Sequence, residues 1–251
     1  ARTVRPLFSI FLSLAVLLVG HGLQQTLLPI YAQSLGWTAA AIGLTGSAYF
    51  AGFIVGCFCM PNLVSLVGHV RVFSVCSALA IVAILTLTQW QLLPVWILAR
   101  ALTGMSFAGL YMILESWLNE QVADDQRGAV LSLYGFVSLV AMSVGQLLLF
   151  EGNLVESAPL VAIIFALALI PVALTTSPQP QLPPKATLSF MSAYQASQVG
   201  VVLAAVSGFV MGMVWSNGAV YVSELTGDAE AGARFIIFTL LGGSFAQLPL
   251  G

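Results

Sequence analysis

"ILARALTGMSFAGLYMILESWLNE", residues 97–120, sets one arginine, Arg100, and one glutamate, Glu115, in a run dominated by Leu, Ile, Met, Phe, Ala and Gly. A helix crossing a bilayer takes about 20 such residues, and this run is long enough. At about 100° per residue, Arg100, Gly104, Tyr111 and Glu115 fall within an arc of roughly 60°. A charge facing lipid at mid-membrane costs at least about 2.5–3.5 kcal/mol. Both charges are therefore expected to face protein or a water-filled cavity. At 1.5 Å per residue they lie about 22 Å apart along the axis, too far to pair. Two readings of Glu115 are open: an interfacial carboxylate wetted by the cytoplasm, or a protonatable group in a cavity. Arg100 lies deeper, and Gly104 beside it allows a neighbouring helix to come close.

The rest of the chain has the same character. Of 251 residues, 59% are hydrophobic and 6% are charged, against about 25% charged in a soluble domain. So apolar a surface does not stay in water. The runs are too long for barrel strands, which need only about ten alternating residues. The chain is therefore an all-α membrane protein. A net charge of −2 without a basic stretch excludes nucleic acid as a partner. Cys57, Cys59 and Cys76 fall inside predicted helices. The first two, two residues apart, point to nearly opposite sides and are expected to serve as small packing residues. The N-terminal ARTVRPLFSIFLSLAVLLVG has the charge and apolar core of a signal peptide but no small-residue cleavage site after it, so it is expected to be the first spanning helix.

Breaks in the apolar runs predict helices over about 7–31, 41–62, 70–90, 93–119, 127–151, 157–176, 198–223 and 233–251. The stretch TTSPQPQLPPKATLSF, 175–190, carries Pro178, Pro180, Pro183 and Pro184 and is expected to be an extended linker. Three parts are predicted: a six-helix half over 1–176, a Pro-rich linker over 177–197, and two helices over 198–251. With the N-terminus inside, Arg2, Arg5, Arg71, Arg127 and Lys185 fall on the cytoplasmic side and Arg234 outside, as the positive-inside rule requires. A faint repeat lays 51–61 on 241–251, matching Gly52 to Gly242, Gly56 to Ala246 and Pro61 to Gly251. An offset of six helices suits a transporter built from parallel six-helix halves. On that plan the chain is truncated, with only the first two helices of its second half.

Other polar residues inside the runs are candidates for a site. His21, Gln24 and Gln25 are spaced i, i+3, i+4 on the first helix, and either bond a neighbouring helix or line a substrate path. His21 also titrates near neutral pH. Pro29 is expected to bend the outer end of this helix. On the seventh, Trp215, Asn217 and Tyr221 are cavity candidates, Tyr221 equally an interfacial anchor. Gly208 and Gly212 there suggest a close-packing surface. On the fifth, Tyr134, Ser138, Ser143 and Gln146 are similar, with packing and cavity lining both open for Gln146. No phosphate loop or metal-ligand spacing is present, so no catalytic residue, metal or cofactor is assigned. Asp124-Asp125 reads as a solvated turn.

These segments resemble the major facilitator superfamily over essentially the whole chain. RALTGMSFAG, 100–109, looks like its fourth-helix motif, an arginine followed four residues on by glycine. PNLVSLVGHVR, 61–71, stands where the superfamily carries G-x-L-x-D-R-x-G-R-R; Leu63, Gly68 and Arg71 fit, while Pro61, Ser65, Leu66 and His69 depart. The resemblance makes Gly68, His69 and Arg71 a gating loop, with its charge contacts weakened. QTLLPIYAQ, ILESWL, RGAVLSLY, VGQLLL, SGFVMG and AQLPLG, in that order, look closest to the YcaD-like bacterial branch. The resemblance implies two pseudo-symmetric halves, alternating access and a small-molecule substrate. It also raises Glu115 as the glutamate of the "ES" element. The expectation is a monomeric secondary transporter of the bacterial inner membrane, energised by protons. A non-transporting sensor or scaffold with the same fold is the alternative.

Overall fold

The computed structural model describes residues 4–122, 126–148, 153–175 and 190–247. The described residues form helices α1 (Val4–Ser34), α2 (Ala39–Val67), α3 (His69–Gln89), α4 (Leu93–Gln121), α5 (Arg127–Leu147), α6 (Leu154–Leu167), α7 (Leu169–Ala173), α8 (Phe190–Ala196), α9 (Gln198–Met213), α10 (Ala219–Thr226) and α11 (Ala229–Gln247). A π-helical turn, Val214–Gly218, joins α9 to α10 into one rod. Seven rods among the described residues are long and apolar enough to cross a membrane. The predicted eighth span, α11, is not one of them, because its first turns carry Glu230 and Arg234. Asp124-Asp125 and the prolines of the linker lie outside the described residues; the end of the predicted linker, 190–196, is the short helix α8.

The element bounds differ from expectation most at 61–71. Pro61 does not end α2, which continues to Val67, and α3 begins at His69. Gly68 alone makes the corner, at φ +88° and ψ 163°, a region open essentially only to glycine. The segment is thus a one-residue turn between two helices. Pro29 likewise sits inside a continuous α1; spanning helices tolerate proline because neighbouring groups satisfy the freed backbone.

α1 and α4 carry the core. Leu14, Leu17, Leu18, Leu23 and Leu27 of α1, and Phe107, Leu110, Ile113 and Leu114 of α4, are almost completely buried. Lipid tails are as apolar as leucine, so close helix contact here rests on small residues. α2 meets α4 through glycines from both sides. A Cβ on Gly52 would strike the Ala101 carbonyl, one on Gly56 the Met105 backbone, and one on Gly104 the Tyr49 carbonyl. α1 and α5 approach as closely: Gly22 lies on the Met142 backbone and Gly145 on the Val19 carbonyl. The repeat positions Gly242 and Ala246 of α11 are exposed, unlike Gly52 and Gly56. Gly208 of α9 has open space around it, so no described residue packs closely on it, and Gly212 makes only ordinary contact with Phe50.

Candidate functional site

The polar residues of α1 and α4 meet inside the bundle. Arg100, 5% exposed, donates from Nη2 to Gln25 Oε1 at 2.9 Å. Its guanidinium carbon lies 4.7 Å from the centre of the Tyr49 ring, a distance at which an arginine gains from the ring's negative face. Gln25 Nε2 and the Tyr49 hydroxyl each lie 3.4 Å from His21 Nε2. The Arg100 bond fixes the Gln25 amide with its oxygen toward the arginine and its nitrogen toward the histidine. With a neutral imidazole, this orientation assigns His21 Nε2 as the acceptor and the ring proton to Nδ1, which has no hydrogen-bond partner among the described residues. The His21 ring lies tilted by 33° against Phe107, ring centres 3.9 Å apart, and meets Tyr111 edge-on at 6.4 Å. Arg100 is therefore held by neutral groups from α1 and α2, with no carboxylate against it among the described residues. Gln24 is fully buried, and neither of its amide atoms has a partner.

Glu115 occupies a different environment on the same helix. It is exposed and lines a cleft of about 640 Å³ between α2, α4 and α5. The Tyr134 hydroxyl of α5 donates to Glu115 Oε1 at 3.1 Å. Phe53, Cys57, Tyr111 and Ser138 share the lining. Tyr111 connects the two regions, with its ring against His21 and Phe107 and its edge in the cleft. The arc that collects four residues on α4 is thus divided in space. α2 crosses over Arg100 and Gly104, then leaves the C-terminal part of α4 open.

The remaining candidates separate. Gln146 is buried, and its Nε2 donates to the Gly22 carbonyl at 2.6 Å, so it bonds α5 to α1. Asn217 faces Gly43 in a second cavity of about 480 Å³ between α2 and the α9–α10 rod. Trp215 packs against the edge of the core, and Tyr221 is 66% exposed. His69 is buried against Trp117, ring centres 5.8 Å apart, and Arg71 is exposed. Cys57 and Cys59 are exposed rather than packed; Cys76 alone of the three is buried.

Two groups went unnoticed in the sequence. Tyr49, Phe53 and Cys57 are spaced i, i+4, i+8, which places them on one face of α2, and that spacing could have marked them. At the C-terminal end of α1, Gln33 Nε2 donates to Glu224 Oε1 at 3.3 Å. The Ser223 hydroxyl lies 2.9 Å from Gln33 Oε1 and 2.8 Å from the Val220 carbonyl. No local pattern joins positions 190 residues apart.

Residues 10–189 match the sequence profile of the Major Facilitator Superfamily. The MFS-type transporter YcaD of Salmonella newport, which carries the description uncharacterized, is 24% identical over 98% of this chain and 66% of its own length. The proteins of that name from Salmonella typhi and Salmonella dublin are equally similar. The chain thus spans about two thirds of the length of these curated relatives. Among solved structures, a mutant of the nucleoside transporter NupG superposes with a TM-score of 0.68 at 14% identity, over 97% of this chain and 65% of that one. Such a likeness concerns the fold, and the fold, the profile match and the order of the helices agree: this multi-pass membrane protein belongs to the Major Facilitator Superfamily.

Proposed function

We propose that the protein is a secondary transporter that moves a small molecule across the bacterial inner membrane by alternating access. The observation that carries this reading is the cleft of about 640 Å³ beside Glu115, a size within the 300–1,000 Å³ typical of small-molecule sites. Contacts at the opposite end support it. With the N-terminus inside, the α1–α10 bonds of Gln33 lie at the outer face, and Ser216 of the π-turn sits on Gly46 of α2 about 10 Å deeper. These contacts support a conformation closed at the outer end, a feature of one of the two states that alternating access requires.

Glu115 is the proton-coupling residue in this reading, because it is a carboxylate in a wet cleft with a hydroxyl partner. Arg100 is a fixed positive charge behind it, linked through His21 and Tyr111. Glu115→Gln keeps the shape and the Tyr134 bond but removes the titration. Proteoliposomes carrying this variant are expected to lose pH-gradient-driven flux. Flux that still follows the pH gradient would rule out this coupling role. The outer contact gives a second expectation. Gln33→Ala removes both bonds to α10 and should raise labelling of a cysteine introduced at Ser47 by a membrane-impermeant thiol reagent added outside, with unchanged labelling arguing against closure there.

A further inference from the structure

The Glu115 cleft also bears on which charge its ligand carries. Of the residues lining it, Glu115 is the one acid and none is basic. Arg100, on the same helix, does not line the cleft; it is buried and engaged by Gln25 and Tyr49. The Tyr134 hydroxyl bonds one carboxylate oxygen, Oε1, which leaves Oε2 available. Around the carboxylate stand three aromatic rings, Phe53, Tyr111 and Tyr134. Aromatic faces attract cations and repel anions. A ligand leaving water for this cleft sheds part of its hydration, so its charge must be matched by the walls. An anion would meet a like charge and the negative faces of the rings. A monovalent cation would meet an opposite charge and apolar surface for its body.

We infer that the cleft between α2, α4 and α5 selects organic monocations with an apolar or aromatic body, with Glu115 as the counter-charge and Tyr134 as its positioning residue. This rests on the reading of the cleft as the transport site, although binding and transport are read separately below. Cys57 supplies a native reporter, since it is exposed and lines the same cleft, while Cys59 is exposed outside it and Cys76 is buried.

The test compares two ions of nearly the same shape and opposite charge, tetraphenylphosphonium and tetraphenylborate. The full chain in detergent is alkylated with N-ethylmaleimide, and modification of each cysteine is followed by peptide mass. Tetraphenylphosphonium is expected to slow alkylation of Cys57 and leave Cys59 unaffected, while tetraphenylborate protects neither. In Glu115→Gln, protection should need roughly ten- to a hundredfold more phosphonium, as expected for losing the attraction between two opposite charges in a partly desolvated cleft. A thermal melt close to the parent would show that the variant is folded. Equal protection by both ions, protection by neither, or undiminished protection in Glu115→Gln would overturn the cation site. Movement of tetraphenylphosphonium across proteoliposomes is measured in parallel. Charge-selective protection without such movement supports the cation site and counts against transport. Flux of another solute without phosphonium protection does the reverse.

Discussion

Replacing Arg100 with alanine is expected to lower transport by roughly ten- to a hundredfold while the protein still reaches the membrane. The scale follows from the loss of one charged hydrogen bond, which is worth about 1.5–3 kcal/mol. The arginine orders its surroundings in a chain: it holds the Gln25 oxygen at 2.9 Å, and the orientation this imposes on the amide turns the nitrogen toward His21. Without it, the Gln25 amide is free to flip, the Tyr49 ring loses its cation, and His21 loses its fixed donor. His21 supports the ring of Tyr111, which lines the cleft. Arg100→Lys should recover only part of the loss, because a lysine is a point charge without the planar fork that reaches an amide while lying over a ring. Counterflow in proteoliposomes, with expression and melting temperature recorded alongside, measures this. Wild-type flux in Arg100→Ala would mean that the network only packs α1 against α4.

The largest effect on stability is expected at Gly104. A side chain there meets the Tyr49 carbonyl and the Phe53 backbone nitrogen, neither of which can turn away as a side-chain tip would. Gly104→Val should therefore cost about 1–3 kcal/mol or more, as overpacking does, because α2 and α4 must separate along their whole contact. The expected readout is a clear fall in the detergent melting temperature. Gly208→Ala is the matched control. Nothing lies within 4 Å of the Cβ it would add, and alanine favours the helix over glycine by up to about 1 kcal/mol. Its melting temperature should hold or rise slightly. A similar fall in both variants would place the cause in a general intolerance of glycine substitution rather than in the α2–α4 crossing.

The contrast between these two glycines shows where sequence reading stops. Both sit in apolar helices with small residues nearby, and the spacing of Gly208 and Gly212 suggested tight contact at least as strongly as Gly104 did. Whether a glycine is a contact depends on what lies opposite, and that comes from another part of the chain. The cysteines make the same point: their place inside apolar helices suggested small packing residues, yet Cys57 and Cys59 are exposed and Cys76 is buried. At 61–71 the misreading was local. Pro61 looked like a helix end, yet α2 passes through it and turns at Gly68, which leaves His69 against Trp117 instead of in a loop. Gln146 had two open readings, and its bond to the Gly22 carbonyl favours packing.

Composition and run length alone determined that the chain is a bundle of spanning helices, because apolar burial and the thickness of a bilayer act on every residue regardless of its neighbours. The pitch of a helix was also enough to place Arg100, Gly104, Tyr111 and Glu115 on one face. That this face splits into a sealed arginine network and an open acidic cleft was decided by the tertiary structure. The place where α2 crosses α4, set by Gly52, Gly56 and Gly104, covers the arginine and leaves the glutamate exposed.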